Sequence, residues 1–198
     1  MKFLNPVTKT IISSVFAGIS ISIGAFIYLK TQGALGAFLC SFGFMAILFY
    51  KFILYTGCLH KASNLSEHIL LGFVMLLNIL GCLIASLCVN NPAIVEQCQN
   101  IVLQRESIGF PLAIIKGIGC GFIITLAFQS WDVNKLVLLF GIPVFVVAGF
   151  MHSITDAFYY CVGWSAISSG AMVTFIGTLI GNFIGALAYR LGTEEKKK

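Results

Sequence analysis

Apolar stretches long enough to cross a lipid bilayer follow one another along nearly the whole chain. A bilayer core needs about 20 consecutive apolar residues in a helix. Six stretches approach or exceed this length, and they lie at residues 11–29, 35–60, 68–88, 109–128, 136–167 and 170–189. The pattern predicts an all-α membrane protein with six transmembrane helices, forming a single domain over residues 1–198.

The composition excludes a soluble domain. Of the 198 residues, 59% are hydrophobic and only 10% are charged, so the chain has more apolar surface than a globule of this length buries. The N-terminus has a charged start but no signal-peptide cleavage pattern, and we expect it to be retained. The net charge of +5 does not indicate nucleic-acid binding, because it reflects membrane orientation and a lysine tail.

The Lys and Arg residues outside the spans predict the orientation, because cytoplasmic loops are enriched in them. If both termini are inside, only Lys30 and Arg105 fall outside. The cytoplasmic set is Lys2, Lys9, Lys61, Lys135, Arg190, Lys196, Lys197 and Lys198. We therefore expect cytoplasmic N and C termini in a bacterial inner (plasma) membrane.

The second and fifth spans are longer than one crossing, and each carries an interruption, YKFILYTGCLHK and AGFMHSITDAF. Transport proteins break helices in this way to place polar groups at the bilayer centre, although a tilted helix is an alternative. The third spans of the two halves share N-x-x-G-x-L, starting at Asn78 and Asn182. We interpret the halves, about residues 8–88 and 109–190, as inverted three-helix repeats with helices 2 and 5 broken.

His152 and Asp156 lie in the second interruption, where ionisable side chains are costly and usually functional. If these residues line a narrow apolar corridor, a small weak acid crosses it more easily in its neutral form than as an anion. Histidine, which titrates near neutral pH, is suited to supply or relay the proton that neutralises the anion. Alternatively, the imidazole stays neutral and polarises the site, or is only structural. Asp156 could form a buried ion pair with Lys51 or Lys116, although Lys116 is also expected to reach the outer headgroups.

The cysteines indicate no metal or cofactor site, because they form no CxxC or ligand cluster. Four of the seven are interpreted as small apolar fillers inside spans, namely Cys40, Cys82, Cys120 and Cys161. Cys88 and Cys98 would lie at the outer end of the third span and in an outer loop, where a disulfide is possible.

Five motifs resemble the formate/nitrite transporter family, which also includes hydrosulfide channels, in order along nearly the whole chain. They are AGISISIG (17–24), LYTG (54–57), KGIGCGFIITLA (116–127), AGFMHSITDAF (148–158) and GNFIGAL (181–187). The family counterparts of the middle three are LFTG, RGILCNWLVCLA and GFEHSVANMF. The resemblance implies an aquaporin-like protomer with its own pore, assembly into a homopentamer, and a small monovalent anion or its neutral acid as substrate.

The resemblance also implies site residues. His152 corresponds to the central pore histidine, and Thr56 to the threonine that hydrogen-bonds it. The other matches are the loop residues Leu54 and Tyr55, the apolar constriction positions Phe44 and Phe145, a further constriction position at Cys40, and Arg105, aligned with an outer lysine linked to attracting anions. Structural alternatives remain, with Thr56 bonding a carbonyl at a helix bend and the two phenylalanines packing helices.

Several positions depart from the family pattern. Gly121 replaces an asparagine of the fourth helix, Met151 a glutamate, and Asp156 an asparagine. The segment 51–53, KFI, replaces a Gly-small-acid triplet, so that Lys51 appears near the pore centre. These changes bear on which substrate the pore accepts.

The sequence therefore predicts a channel or proton-coupled transporter for small monovalent weak-acid anions, such as formate, nitrite or hydrosulfide. The alternative is a non-transporting structural or assembly subunit of a membrane complex. An enzyme is not expected, because His152 and Asp156 alone supply neither a nucleophile nor a metal cluster.

Overall fold

A computed structural model describes residues 5–194. Lys2 and residues 196–198, used in the orientation argument, lie outside them. Within the described range the chain forms eight α-helices and no strands, so the all-α prediction is confirmed. The helices are α1 (Pro6–Thr31), α2 (Gly33–Tyr50), α3 (Tyr55–Cys58), α4 (Leu65–Ser86), α5 (Pro92–Gln129), α6 (Leu136–Val147), α7 (Ser153–Val162) and α8 (Ser169–Glu194), with 3₁₀ turns at Leu59–Lys61 and Trp164–Ala166.

Five helices are long and apolar enough to cross a membrane by length and composition, namely α1, α2, α4, α5 and α8. Helix α6 is equally apolar but has 12 residues, which corresponds to about 18 Å, shorter than the roughly 30 Å hydrocarbon core. The chain is an integral membrane protein.

Both over-long stretches are broken, as the sequence predicted. Helix α2 ends at Tyr50, and Lys51 takes a left-handed conformation (φ 56°, ψ 41°) before the short helix α3 begins. Helix α6 ends at Val147, and Gly149 has φ 68° before α7 begins. A single tilted helix is therefore excluded at both places.

Asparagine and proline residues define where three helices begin. The Asn5 side chain accepts a hydrogen bond from the Val7 N–H, and Asn64 accepts one from the Glu67 N–H. Asn91 does the same for α5, where Pro92 occupies the first helical position. These side chains satisfy N–H groups that lack a partner in the first helical turn.

Helix α5 differs from the prediction. The sequence placed residues 89–108 in an outer loop, but the helix begins at Pro92 and continues to a kink at Gly109 (φ 73°, ψ 166°). Cys98 is consequently buried inside this helix, whereas Cys88 is exposed. All seven cysteines are free, so the possible disulfide is absent.

Small residues let the long helices pack closely in two pairs, α1 with α4 and α5 with α8. A Cβ atom on Gly18 would overlap the carbonyl oxygen of Asn78, and one on Gly121 would overlap that of Asn182. Such small-residue contacts are typical of membrane helices, whose association depends on close packing. The short helices α3 and α7, which follow the two breaks, each contact both α4 and α5. Both breaks therefore lie between the two helix pairs.

Candidate pore and its central histidine

The break after α2 is held by Asn78 of α4. Its Nδ2 donates hydrogen bonds to the carbonyls of Ser14 (2.7 Å) and Ile53 (3.0 Å), and its Oδ1 accepts one from the Tyr55 N–H (2.8 Å). The asparagine is fully buried. It therefore ties α1 to the two backbone groups that flank Leu54.

The break after α6 is held in the same way by Asn182 of α8. Its Nδ2 donates to the carbonyls of Gly117 (3.0 Å) and Met151 (2.8 Å), and its Oδ1 accepts from the Ser153 N–H (2.9 Å). The bonded backbone groups flank His152. Leu54 and His152 therefore occupy matching positions, each an extended residue immediately before a short helix.

His152 lies at the centre of the fold, with 2% of its surface exposed. Its Nδ1 accepts a hydrogen bond from the Thr155 N–H (3.2 Å) and lies 2.8 Å from the Thr155 hydroxyl. Because a backbone N–H can only donate, this geometry assigns the proton of a neutral imidazole to Nε2. Nε2 then donates to the hydroxyl of Thr56 at 2.8 Å. The predicted bond between His152 and Thr56 is confirmed.

Two phenylalanine rings enclose the imidazole. The ring centroids of Phe44 and Phe145 lie 5.3 Å and 6.1 Å from that of His152, and 6.0 Å from each other. Both phenylalanines are buried, as are Thr56 and Leu54. The centre is therefore a narrow constriction, apolar except for one imidazole and one hydroxyl.

A cavity of about 190 Å³ lies on one side of the constriction. We call it the Arg105 pocket, and its lining includes Phe145, His152, Thr155, Asp156, Tyr159 and Arg105. Arg105 Nε donates to Asp156 Oδ1 at 3.0 Å. The Asp156 side chain is 1% exposed and that of Arg105 is 19% exposed. The two charges form a mostly buried ion pair at the wall of the cavity.

A larger cavity of about 600 Å³ lies on the other side of the constriction. We call it the Lys51 pocket, and its lining includes Ile47, Leu54, Lys51, Lys61, Asp132 and Lys135. The Lys135 ammonium lies 5.2 Å from the ring centroid of Trp131. Three lysines against one aspartate make this pocket cationic.

The comparisons with known proteins decide the family. The family model described as formate/nitrite transporter matches residues 1–192. This chain belongs to that family. A search of the curated proteins gave no significant match.

Solved structures share the fold. A pentameric formate channel with formate bound has a TM-score of 0.81 at 17% identity, with 96% of each chain covered. An ion channel of the FNT family has a TM-score of 0.85 at 16% identity, with 97% of this chain and 91% of that chain covered. At these identities the likeness shows the fold of a formate/nitrite transporter.

The ion pair of Asp156 corrects the prediction. Lys51 and Lys116 were the expected partners, but the partner is Arg105. Lys51 lines the opposite pocket. The Lys116 ammonium donates to the carbonyl of Gly149 at 3.1 Å, within the break after α6, rather than reaching outward. The physical reason is the helical course of residues 92–108, which brings Arg105 against the first turn of α7.

Gly121, one of the departures from the family pattern, contacts α8. The glycine is buried, and its Cβ direction points into the backbone of Asn182 on α8. It therefore serves helix packing, and it lines neither pocket. An asparagine, which the resemblance gives for this position in other family members, does not fit here without movement of α8.

Cys40 and Tyr55 lie near the constriction but line neither pocket. Cys40 is buried on α2, one helical turn before Phe44, and Tyr55 is half-buried beside Thr56. Leu54 closes the inner end of the Lys51 pocket. Of the predicted site residues, the structure therefore places Thr56, Phe44 and Phe145 around the imidazole.

Sequence reasoning missed two polar contributors, Thr155 and Tyr159, which line the Arg105 pocket. The position of Thr155 beside the imidazole could have been inferred from the sequence. A side chain that caps a helix accepts a hydrogen bond from the backbone N–H three residues later, and the His152 side chain caps α7 by accepting one from the Thr155 N–H. Asn78 and Asn182 were noted as the start of a motif shared by the two halves, and that motif contains the two side chains that hold the breaks. A larger apolar cavity, about 670 Å³ between α4, α7 and α8, lies apart from these groups.

Proposed function

We propose that this protein is a channel or proton-coupled transporter for small monovalent weak-acid anions, with formate, nitrite and hydrosulfide as candidate substrates. The observation that carries the proposal is the pair of cavities that meet the constriction from opposite sides. His152 and Phe145 line the Arg105 pocket, and Leu54 lines the Lys51 pocket. Membership of the formate/nitrite transporter family supports the same conclusion.

The constriction supports passage of the substrate as a neutral acid. A bare anion that leaves water for an apolar ring loses several kcal/mol or more of solvation, whereas an undissociated acid loses far less. Phe44 and Phe145 supply the apolar ring, and His152 is the titratable group inside it. Its Nε2 proton and the Thr56 hydroxyl form a short relay across the narrowest part.

The proposal includes a homopentamer in which each protomer has its own pore, as in the pentameric formate channel that shares the fold. It also includes six spans in two inverted repeats, about residues 8–88 and 109–190, with α6 and α7 together forming one span. The matching bonds of Asn78 and Asn182 support the repeat. We further propose a bacterial inner membrane location, with both termini cytoplasmic.

The test is flux into proteoliposomes, measured with formate, nitrite and hydrosulfide in separate vesicles. We expect at least one substrate to move faster than in protein-free vesicles, and His152→Phe to abolish this flux because the ring volume is kept while both nitrogens are lost. Size-exclusion chromatography checks that the variant stays folded and oligomeric. His68→Phe is the matched control, since His68 is exposed and lines neither pore pocket. Normal flux through a folded His152→Phe protein would contradict the central role of His152.

A further inference from the structure

We propose that Asp156, held by Arg105, is a specificity-determining residue that makes the Arg105 pocket accept an uncharged hydrogen-bond donor and reject a bare anion. The class of ligand is a small undissociated weak acid, such as formic acid or hydrogen sulfide. This inference deepens the proposed function and rests on it. Without Asp156, a lone cation at the position of Arg105 would attract anions instead of rejecting them.

The fixed charges of the Arg105 pocket are balanced. Arg105 and Asp156 lie 3.0 Å apart and cancel each other, and no other residue that lines this pocket carries a fixed charge. The Lys116 ammonium binds the Gly149 carbonyl nearby without lining the pocket. The titratable neighbours are Tyr28 of α1, Cys40 of α2, Cys120 of α5, and His152, Tyr159 and Tyr160 around α7. An approaching anion therefore meets a balanced wall, in contrast to the cationic Lys51 pocket.

The two carboxylate oxygens of Asp156 differ in their hydrogen bonding. Oδ1 of Asp156 is bound to Arg105, but Oδ2 is buried and has no partner among the described residues. A carboxylate oxygen can only accept, so a ligand that satisfies it must bring an O–H or S–H. Formic acid brings this donor together with a carbonyl oxygen that can accept from the guanidinium, and hydrogen sulfide brings the donor alone. A carboxylate anion brings only acceptors and is repelled by Oδ2.

Asp156 lies close to His152. It is in the first turn of α7, where its backbone N–H donates to the His152 carbonyl at 2.9 Å, and both residues line the Arg105 pocket. A molecule bound at Oδ2 is therefore next to the imidazole and at the entrance of the constriction. A purely structural ion pair would account for Oδ1, but it gives no reason for a buried Oδ2 without a partner, which native structures usually avoid.

The test separates the two permeating species at fixed pH. Proteoliposomes carry one dye for internal pH and one for membrane voltage, and an inward gradient of formate or of sulfide is applied, with protein-free vesicles subtracted. Entry of the neutral acid acidifies the lumen without voltage, whereas entry of the anion creates voltage without acidification. Random insertion of the protein does not matter, because every route through the pore passes the Arg105 pocket.

The wild-type protein is expected to acidify the lumen without a voltage signal. Asp156→Asn leaves the Arg105 charge uncompensated, and a voltage signal is expected to appear beside the acidification, because focusing by an uncompensated charge raises anion entry by about tenfold or more. In the double variant Arg105→Gln/Asp156→Asn the voltage signal is expected to disappear again. Its acid uptake is expected to be about tenfold slower, because a charge-assisted hydrogen bond is lost. Glu106→Gln, an adjacent charge change outside the pocket, should behave as wild type.

Three results would overturn the inference: voltage without acidification in the wild type, an Asp156→Asn protein that stays electroneutral, or a double variant as fast as wild type. If Asp156→Asn fails to fold, the wild-type signal and the double variant still test the role of Asp156. Absence of both signals in the wild type, for both substrates, would instead reject the proposed function and the inference together.

Discussion

Removal of the Asn182 side chain tests how the break after α6 is held. Asn182→Ala deletes three buried hydrogen bonds, to the carbonyls of Gly117 and Met151 and from the Ser153 N–H. Each buried backbone group without a partner costs about 1–3 kcal/mol in proteins generally. Hydrogen bonds measured within membranes average only about 0.6 kcal/mol, because the unfolded chain finds other partners there.

These magnitudes bracket the loss of stability between roughly 2 and 9 kcal/mol for three bonds. We expect about 3 kcal/mol, nearer to the membrane value than to the upper limit, because relaxation of the break can restore part of the bonding. For a chain of this size, 1 kcal/mol shifts the melting temperature by about 2–4 °C. The expected decrease for Asn182→Ala is therefore about 6–12 °C, measured in detergent by thermal unfolding.

Asn91→Ala is the matched control. Asn91 also accepts two backbone N–H bonds, from Ala93 and Ile94, but it is an exposed helix cap that lines neither pore pocket. Loss of such a cap costs about 1 kcal/mol, and flux should stay normal. Asn182→Ala should also reduce flux, because Met151 and Ser153 fix the backbone on both sides of His152. Equal melting shifts in the two variants, with normal flux in both, would refute this account of the break.

Two further predictions concern local stability. Lys51→Gly should raise the melting temperature by about 2–8 °C, because a left-handed non-glycine residue costs about 1–2 kcal/mol and Lys51 has φ 56°. Lys51→Ala, which removes the charge but keeps the strain, should give no gain, and an equal gain would point to charge instead. Burial, with Lys61 and Arg190 nearby, lowers the pKa of His60 from 6.5 to about 4. The unfolded chain therefore binds the extra proton as pH falls from 6.5 to 4, so stability should decrease over that window, and His60→Gln should flatten the melting-temperature profile.

The sequence predicted the two breaks because local signals marked them. The stretch 35–60 exceeds one crossing and the stretch 136–167 exceeds it further, and both contain polar or glycine residues inside apolar chain. The hydrogen bond of Thr56 to His152 came from the family resemblance rather than from periodicity, since the two residues are far apart in sequence. Without the resemblance, nothing in either segment alone specifies this pairing.

The helix over residues 92–108 could have been predicted from the sequence. Asn91 followed by Pro92 is a helix-start signal, with a capping side chain and a proline at the first helical position. The segment was instead judged by its polarity, which excluded a membrane span but not a helix. The partner of Asp156 was harder to predict. It depends on the direction that the chain takes at the Gly109 kink, which the polarity of the segment does not predict.

Under the proposed function, the matching positions of the two breaks explain why one imidazole is enough to relay a proton. Leu54 and His152 are both extended, with φ −99° and −107°, and each lies between two backbone groups bound by an asparagine. Under the proposed inverted repeat, these positions approach the same centre from opposite sides. An apolar side chain at one and a titratable side chain at the other give a barrier with a single proton site. Two histidines would place like charges together on protonation, at a cost that grows in an apolar constriction.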